Sequence, residues 1–360
     1  MVDIKNIAIL SFEISDIGGG QKMTLRVADC LSEYFGVNLI LFYKIDKNFC
    51  LNNNKIKMKN FDIPKNSRAG RVAIMTFLKL KEYINSEKIN VLIISGTLPI
   101  PVVFLAKIFI NKCKIIFWDH ECITGRDKKS LFFRKLACII SEKIVTISKR
   151  TYNDYISILK CPRKKLLHIY NFASDKFYEN TDKYNVDSKL VLSVGRLSPE
   201  KGFDLAIDSA KIIFKKHKDW QWHIYGEGSE RKFLEKKIQE NELERNIILK
   251  GECLDIYKKY QNYSIFVMPS YREGFSLVLL EAKISRLPCI SFDCAAGPSE
   301  IIREGINGFL IECYDISKMA EKIIHLIENR DLRIKFSENC SLDLEKFDRK
   351  ISLEKWKHLI

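Results

Sequence analysis

No apolar stretch of this 360-residue chain is long enough to cross a bilayer. The longest candidate, 98–110, is broken by Pro99, Pro101 and Lys107 and falls short of the ~20 apolar residues a span needs. The first ten residues hold only the short apolar run Ile7–Leu10, without a small-residue cleavage site, so a buried first strand is expected there rather than an export leader. Eleven cysteines are scattered from Cys30 to Cys340. None forms a Cys-x-x-Cys pair or stands near a His at zinc-ligand spacing, so reduced, mostly buried thiols of a cytosolic protein are expected. No repeat of solenoid period is present, and no low-complexity tract exceeds a few residues such as 52–54. Asp-x-Asp is missing from the end of every apolar strand, which removes a common carboxylate seat for a divalent ion.

Core material, by contrast, is ample. Hydrophobic residues make up 46% and aromatics 11% of the chain, enough for two packed domains of ordinary size. The formal net charge is +15 and unevenly placed: residues 1–187 hold 31 Lys and Arg against 18 Asp and Glu, residues 188–360 hold 29 against 27. A partner that wants positive charge therefore meets the first half. Nucleic acid and an anionic membrane surface are both attracted by such a potential, and a solvated lysine-rich face accounts for it equally well. No nucleic-acid module accompanies the cations, which makes that partner the weakest reading.

Short β-branched runs alternate with amphipathic stretches, the pattern of parallel sheets covered by helices. Strands are expected at 4–10, 37–43, 91–95, 114–118, 144–147 and 167–169. Helices fit at 21–35, 67–84 and 149–159, the last capped by Ser148. A second series runs through 190–194, 222–225, 247–249, 265–268, 288–292 and 309–311. The expected fold class is α/β, two doubly wound Rossmann-like domains. They span 1–175 and 189–345, separated by a polar linker at 176–188 and followed by a helix at 346–360 placed to pack back on the first domain. Ligands of open α/β sheets bind beyond the carboxyl ends of the strands, so a cleft between two facing sheets is the expected active site.

The loops leaving those strands carry the candidate chemistry. Glu273 and Glu281 flank Gly274-Phe275-Ser276-Leu277, which opens a helix. The free N–H groups and positive dipole end there can receive a phosphate, and the carboxylates can accept sugar hydroxyls; Glu273 favourably beginning a helix, with Glu281 on its solvated face, is the plain structural alternative. Arg196 and Lys201 share the loop after 190–194, and two such cations can straddle a diphosphate. Gly226 in Tyr225-Gly-Glu-Gly228, and Gly19 in Ile17-Gly-Gly-Gly-Gln21, would let backbone approach a ligand closely, though tight turns need glycine equally. Trp118-Asp119-His120-Glu121 follows a buried strand, and its three polar residues are expected to emerge at a carboxyl end.

The run Met268–Ala282 closely resembles the signature of family 4 retaining glycosyltransferases of the GT-B fold. The resemblance continues in Val194–Gly202, in Tyr225–Gly228 with Lys250–Glu252, in the first glycine-rich loop and in Ala295–Leu310, nearly the whole chain. It is nearest to enzymes that build bacterial envelope polysaccharides such as O-antigen, capsule and lipooligosaccharide. The resemblance implies Arg196, Lys201, Glu273 and His120 as catalytic residues. It implies Gly19, Gly226, Gly274, Phe275, Ser276, Leu277 and Glu281 as donor contacts. Gln21 departs from the family, whose members often have Glu there.

Function follows as an expectation: transfer of a hexose or N-acetylhexosamine from a nucleotide diphosphate sugar, UDP-linked by family habit, with retention of configuration. The acceptor would be a glycan or a lipid-diphosphate-linked glycan, met by a cytoplasmic enzyme lying on the inner face of the membrane. No cofactor is expected. With no carboxylate seat for a metal, Arg196, Lys201 and the helix start would neutralise the leaving diphosphate without one. Cationic segments such as Lys128-Lys129, Arg134-Lys135, Lys149-Arg150 and Arg163–Lys165 would suit an anionic membrane surface. A nucleotide-sugar 2-epimerase shares the fold and is the rival; it would convert donor incubated alone, which a transferase leaves unchanged.

Overall fold

The computed structural model describes residues 5–12, 18–43, 53–63, 69–110, 112–180 and 184–360, the side chains of 69–74 and 180 excepted. Two compact units result, Met1–Asn171 joined by Arg349–Ile360, and Phe172–Asp348.

The first unit is built on strands β1 (Asn6–Ser11), β2 (Gly36–Tyr43), β3 (Lys57–Ile63), β4 (Val91–Ser95), β5 (Lys114–Asp119), β6 (Lys143–Thr146) and β7 (Leu166–His168). Their order in the sheet is β3-β2-β1-β4-β5-β6-β7, and every pairing is parallel. Central strands such as β4, buried at all five positions, read as continuous Val/Leu/Ile runs because helices cover both faces. The edge strand β3 was not expected from the sequence. Its residues, Lys-Met-Lys-Asn-Phe-Asp-Ile, are mostly exposed, and lysines on an edge deter further pairing while erasing the apolar signal.

The second unit repeats the plan with β8 (Leu190–Val194), β9 (Gln221–Tyr225), β10 (Ile247–Gly251), β11 (Ile265–Met268), β12 (Cys289–Phe292) and β13 (Gly308–Ile311). The order is β10-β9-β8-β11-β12-β13, again parallel. Strand order reverses between β1 and β4 in one sheet and between β8 and β11 in the other. Loops leaving those strands open the crevice where such sheets take ligands.

Two boundaries differ from the expected ones. The polar passage at 176–188 is not a free linker: Asp175–Asn180 forms a 3-10 helix, Phe177 is buried with its ring 5.3 Å from Tyr260, and Tyr184 donates its hydroxyl to the Ser264 carbonyl at 2.9 Å. A few aromatic anchors dock the segment on the second unit, and its polar majority hid them; residues 181–183 lie outside the described residues. The chain then leaves that unit at Asp348, and the helix Arg349–Leu359 belongs to the first. Trp356 meets Trp118 edge-on at 4.9 Å, and Ser352 donates to the Tyr170 carbonyl at 3.0 Å.

Candidate functional site

In the second unit, the loops at the strand reversal bring two distant motifs together. After β8 the chain passes Gly195, Arg196 and Leu197 and makes a 3-10 turn at Pro199–Lys201, closed by Gly202 at φ 64°. A Cβ at Gly202 would lie 2.1 Å from the Pro269 carbonyl oxygen, so glycine lets this loop press on the one leaving β11. The Tyr271 N–H donates to the Glu200 carbonyl at 3.2 Å across the same seam. The Lys201 ammonium thereby reaches the Glu273 carboxylate at 2.7 Å, with side chains 23% and 9% exposed. Arg196 is exposed and forms no ion pair among the described residues.

Past Glu273, Ser276 caps the helix Leu277–Ile284 by accepting the Leu279 N–H at 3.3 Å. Ser276 and Phe275 are buried, and the turn at Gly297 packs on their backbone. Glu281 is 7% exposed, which rules out the solvated-face alternative. It stands beside Tyr260, whose phenol is pushed well above its ordinary value by burial and by the Glu281 charge. The two glutamates thus hold different stations: Glu273 is tied to a cation from another loop, and Glu281 is set in the body of the unit.

Gly226 has a structural reason of its own. At φ 145° its Cβ would fall 1.8 Å from the Gly195 carbonyl oxygen, and Leu197 N–H donates to the Glu227 carbonyl at 2.9 Å. The β9 loop is zipped to the Arg196 loop, so the close approach made here is between protein backbones.

In the first unit the reversal point carries a hydroxyl relay. Thr24 Oγ1 donates to the Gly20 carbonyl at 2.9 Å, lies 2.7 Å from Ser95 Oγ, and Ser95 Oγ lies 2.9 Å from His120 Nε2. A hydroxyl has one proton. That of Thr24 is spent on Gly20, so Ser95 donates to Thr24, and His120 Nε2–H donates to Ser95. Counting protons assigns the tautomer and leaves Nδ1 as a bare acceptor. That atom is buried with no partner among the described residues. Burial, partly opposed by Asp119, holds the ring down to about 4, so it is neutral at pH 7. Gly20 makes room for it, since a Cβ there would stand 3.3 Å from the ring. Gly19 begins the helix Gly19–Leu31 beside this site; Ile17 lies outside the described residues.

Asp119 does not emerge as expected. It is wholly buried, takes a two-pronged contact from Arg134 at 2.7 and 3.1 Å, and accepts the Tyr155 hydroxyl at 2.8 Å. Arg134 also reaches Glu121 at 3.0 Å and is itself buried, so it is no part of a cationic surface. A buried charge must be paired in this way, and the cluster fixes the turn that presents His120.

Residues 176–342 match the family model described as Glycosyl transferases group 1. Over those residues, a little under half of its length, the chain is similar to that family. It is 34% identical over 226 residues to the poly(ribitol-phosphate) alpha-N-acetylglucosaminyltransferase of Staphylococcus aureus, an alignment covering 61% of this chain and 46% of that protein, so the chain spans about half of that relative. It is 28% identical to the amylovoran biosynthesis glycosyltransferase AmsD of Erwinia amylovora, over 98% of this chain and 99% of the relative. A crystal structure of a TarM point mutant of S. aureus, in complex with Fondaparinux, alpha-GlcNAc-glycerol and UDP, superposes with a TM-score of 0.85 at 20% identity, covering 99% of each chain. Anabaena HepE in complex with UDP and glucose gives 0.83 at 18%, again over 99% of each. The fold is GT-B, shared with these structures.

Of the residues expected in the site, the structure places Lys201 on Glu273 and gathers Arg196 and Gly226 on adjoining loops. Glu281, Phe275, Ser276, Leu277 and Gly274 are grouped at one helix start. Thr24, Ser95 and Tyr260 were missed. A hydroxyl at the end of a strand carries no motif, and only the fold shows what it touches.

Proposed function

We propose that this chain is a retaining glycosyltransferase of family 4. It moves a hexose or N-acetylhexosamine from a nucleotide diphosphate sugar, UDP-linked by preference, to a hydroxyl of a glycan or lipid-diphosphate-linked glycan in envelope polysaccharide biosynthesis. The carrying observation is the Lys201–Glu273 pair at 2.7 Å, set at the strand reversal beside a capped helix start. It joins a cation suited to a diphosphate with a carboxylate suited to a sugar hydroxyl.

In this reading the diphosphate lies against Lys201, Arg196 and the N–H groups at Gly274–Leu277, while Glu273 and Glu281 accept hydroxyls of the sugar and ribose. The bond from the anomeric carbon to the β-phosphate oxygen breaks with the electron pair leaving on the diphosphate. The acceptor oxygen bonds to the same face, and its proton passes to a β-phosphate oxygen. The protein's share is electrostatic stabilisation of the leaving group, with no metal required. In the first unit, His120 contacts the donor sugar or the acceptor. The polymer-building activities of the relatives support the polymer class, and the UDP complexes of two structural neighbours support the donor base. The test is a thermal-shift panel of UDP, GDP and ADP with their sugars, followed by NMR of the product's anomeric configuration. Ligand that binds the native state raises the melting point. No shift with any nucleotide, or an inverted product, would overturn the proposal.

A further inference from the structure

Three helices of the first unit, Ala69–Ser86, Ile100–Ala106 and Lys128–Ile140, link β3 to β4, β4 to β5 and β5 to β6. All three crossovers step the same way across the sheet, and right-handed connections put them on one face; neighbouring helices in the series are in contact. Their outer surface is unusual for a solvated layer. Leu78, Phe104, Leu105, Ile108, Phe109 and Phe132 are all exposed there, Ile108 to 78%. Phe109 lies 5.4 Å from Phe77 across the first two helices, with the Lys81 ammonium 4.6 Å above its ring. Over 75–86, 100–112 and 128–140 the sequence holds seven lysines against one acid, Glu82.

We propose that this face is where the enzyme lies on a bilayer with anionic headgroups, the exposed side chains entering the headgroup boundary and the lysines pairing with lipid phosphates. Apolar side chains ringed by lysine suit an interfacial helix layer, and each cation near an anionic leaflet adds attraction. A second copy of the chain is a poor occupant, because self-pairing would set lysine against lysine. Nucleic acid offers nothing to Leu105 or Ile108. The inference deepens the lipid-linked acceptor reading above and rests on it for the choice of a bilayer.

The experiment is co-sedimentation of the full chain with phosphatidylcholine vesicles, with and without phosphatidylglycerol, for the unmodified protein, Ile108→Glu, and Lys128→Glu/Lys129→Glu. Strong binding to the anionic vesicles only is expected, weakened about tenfold or more in each variant. Melting temperatures should be unchanged, because Ile108 and both lysines are exposed. Equal binding by all three proteins would overturn the inference. So would a dimer in the free protein that Ile108→Glu dissolves, which would make the face a contact between copies. Transfer to a soluble acceptor, measured without vesicles, should be the same in all three; its absence throughout would count against the function and leave the vesicle result standing.

Discussion

Replacing Lys201 by Met should separate what its pair with Glu273 does for folding from what it does for transfer. The variant strands a carboxylate that is 9% exposed and was held at 2.7 Å by a lysine 23% exposed. Removing one partner of a fully buried pair costs about 3–5 kcal/mol, whereas exposed pairs contribute at most about 1 kcal/mol. The partial exposure of Lys201 puts the cost at about 1–3 kcal/mol, a melting drop of roughly 2–12 °C for units of this size. Lys201→Met/Glu273→Gln leaves no stranded charge and should regain most of that loss. Transfer should not return with it. Removing one group that stabilises developing negative charge slows turnover by about 10²–10³-fold, and the double variant lacks the carboxylate proposed to hold the sugar as well. Calorimetry and a donor-release assay on all four members of the cycle decide the matter. A double variant that recovers activity along with stability would refute the reasoning, because the pair would then be a structural clamp alone.

Arg196→Ala should lower turnover by about tenfold or more through lost diphosphate contact while leaving the melting point unchanged, since the side chain is exposed and unpaired among the described residues; a lower melting point with normal turnover would reverse that assignment. Chelator should leave transfer intact, and loss restored by added Mg²⁺ or Mn²⁺ would sink the metal-independent mechanism. His120, His168 and His223 are each held down to about 4, chiefly by burial. Below their ordinary value of 6.5 the unfolded chain therefore takes up protons that the folded chain refuses. Stability should be flat in these groups above about pH 6.5 and fall as the pH drops toward about 4, with a shallower fall in His120→Gln; urea midpoints that ignore pH across that window would show the rings to be solvated.

Twelve of the thirteen strands were legible, the inner ones because burial on both faces writes itself as runs of Val, Ile and Leu. The edge strand β3 was not, because its burial is slight. The Ser148 cap was readable from one residue, and the structure has Ser148 Oγ accepting the Thr151 N–H at 3.2 Å. The Lys201–Glu273 contact joins residues 72 apart in sequence and depends on Gly202 admitting the Pro269 carbonyl, which no local pattern announces. Gly226 was readable as a glycine that matters, yet its reason is the backbone of Gly195. Asp119 and Arg134 read as surface charges because sequence records charge without depth.

The return of Arg349–Ile360 to the first unit makes that unit discontinuous in the chain, while Phe172–Asp348 is continuous. Domains generally fold as units, the N-terminal one first as synthesis proceeds, yet here the first unit is completed only by residues that follow the whole second unit. Trp356 supports Trp118, whose ring lies 4.2 Å from that of His120. Deleting the helix Arg349–Leu359 would therefore reach a relay more than 200 residues earlier in the chain, and a gene fragment ending near residue 171 would yield a first unit with Trp118 lacking its partner ring.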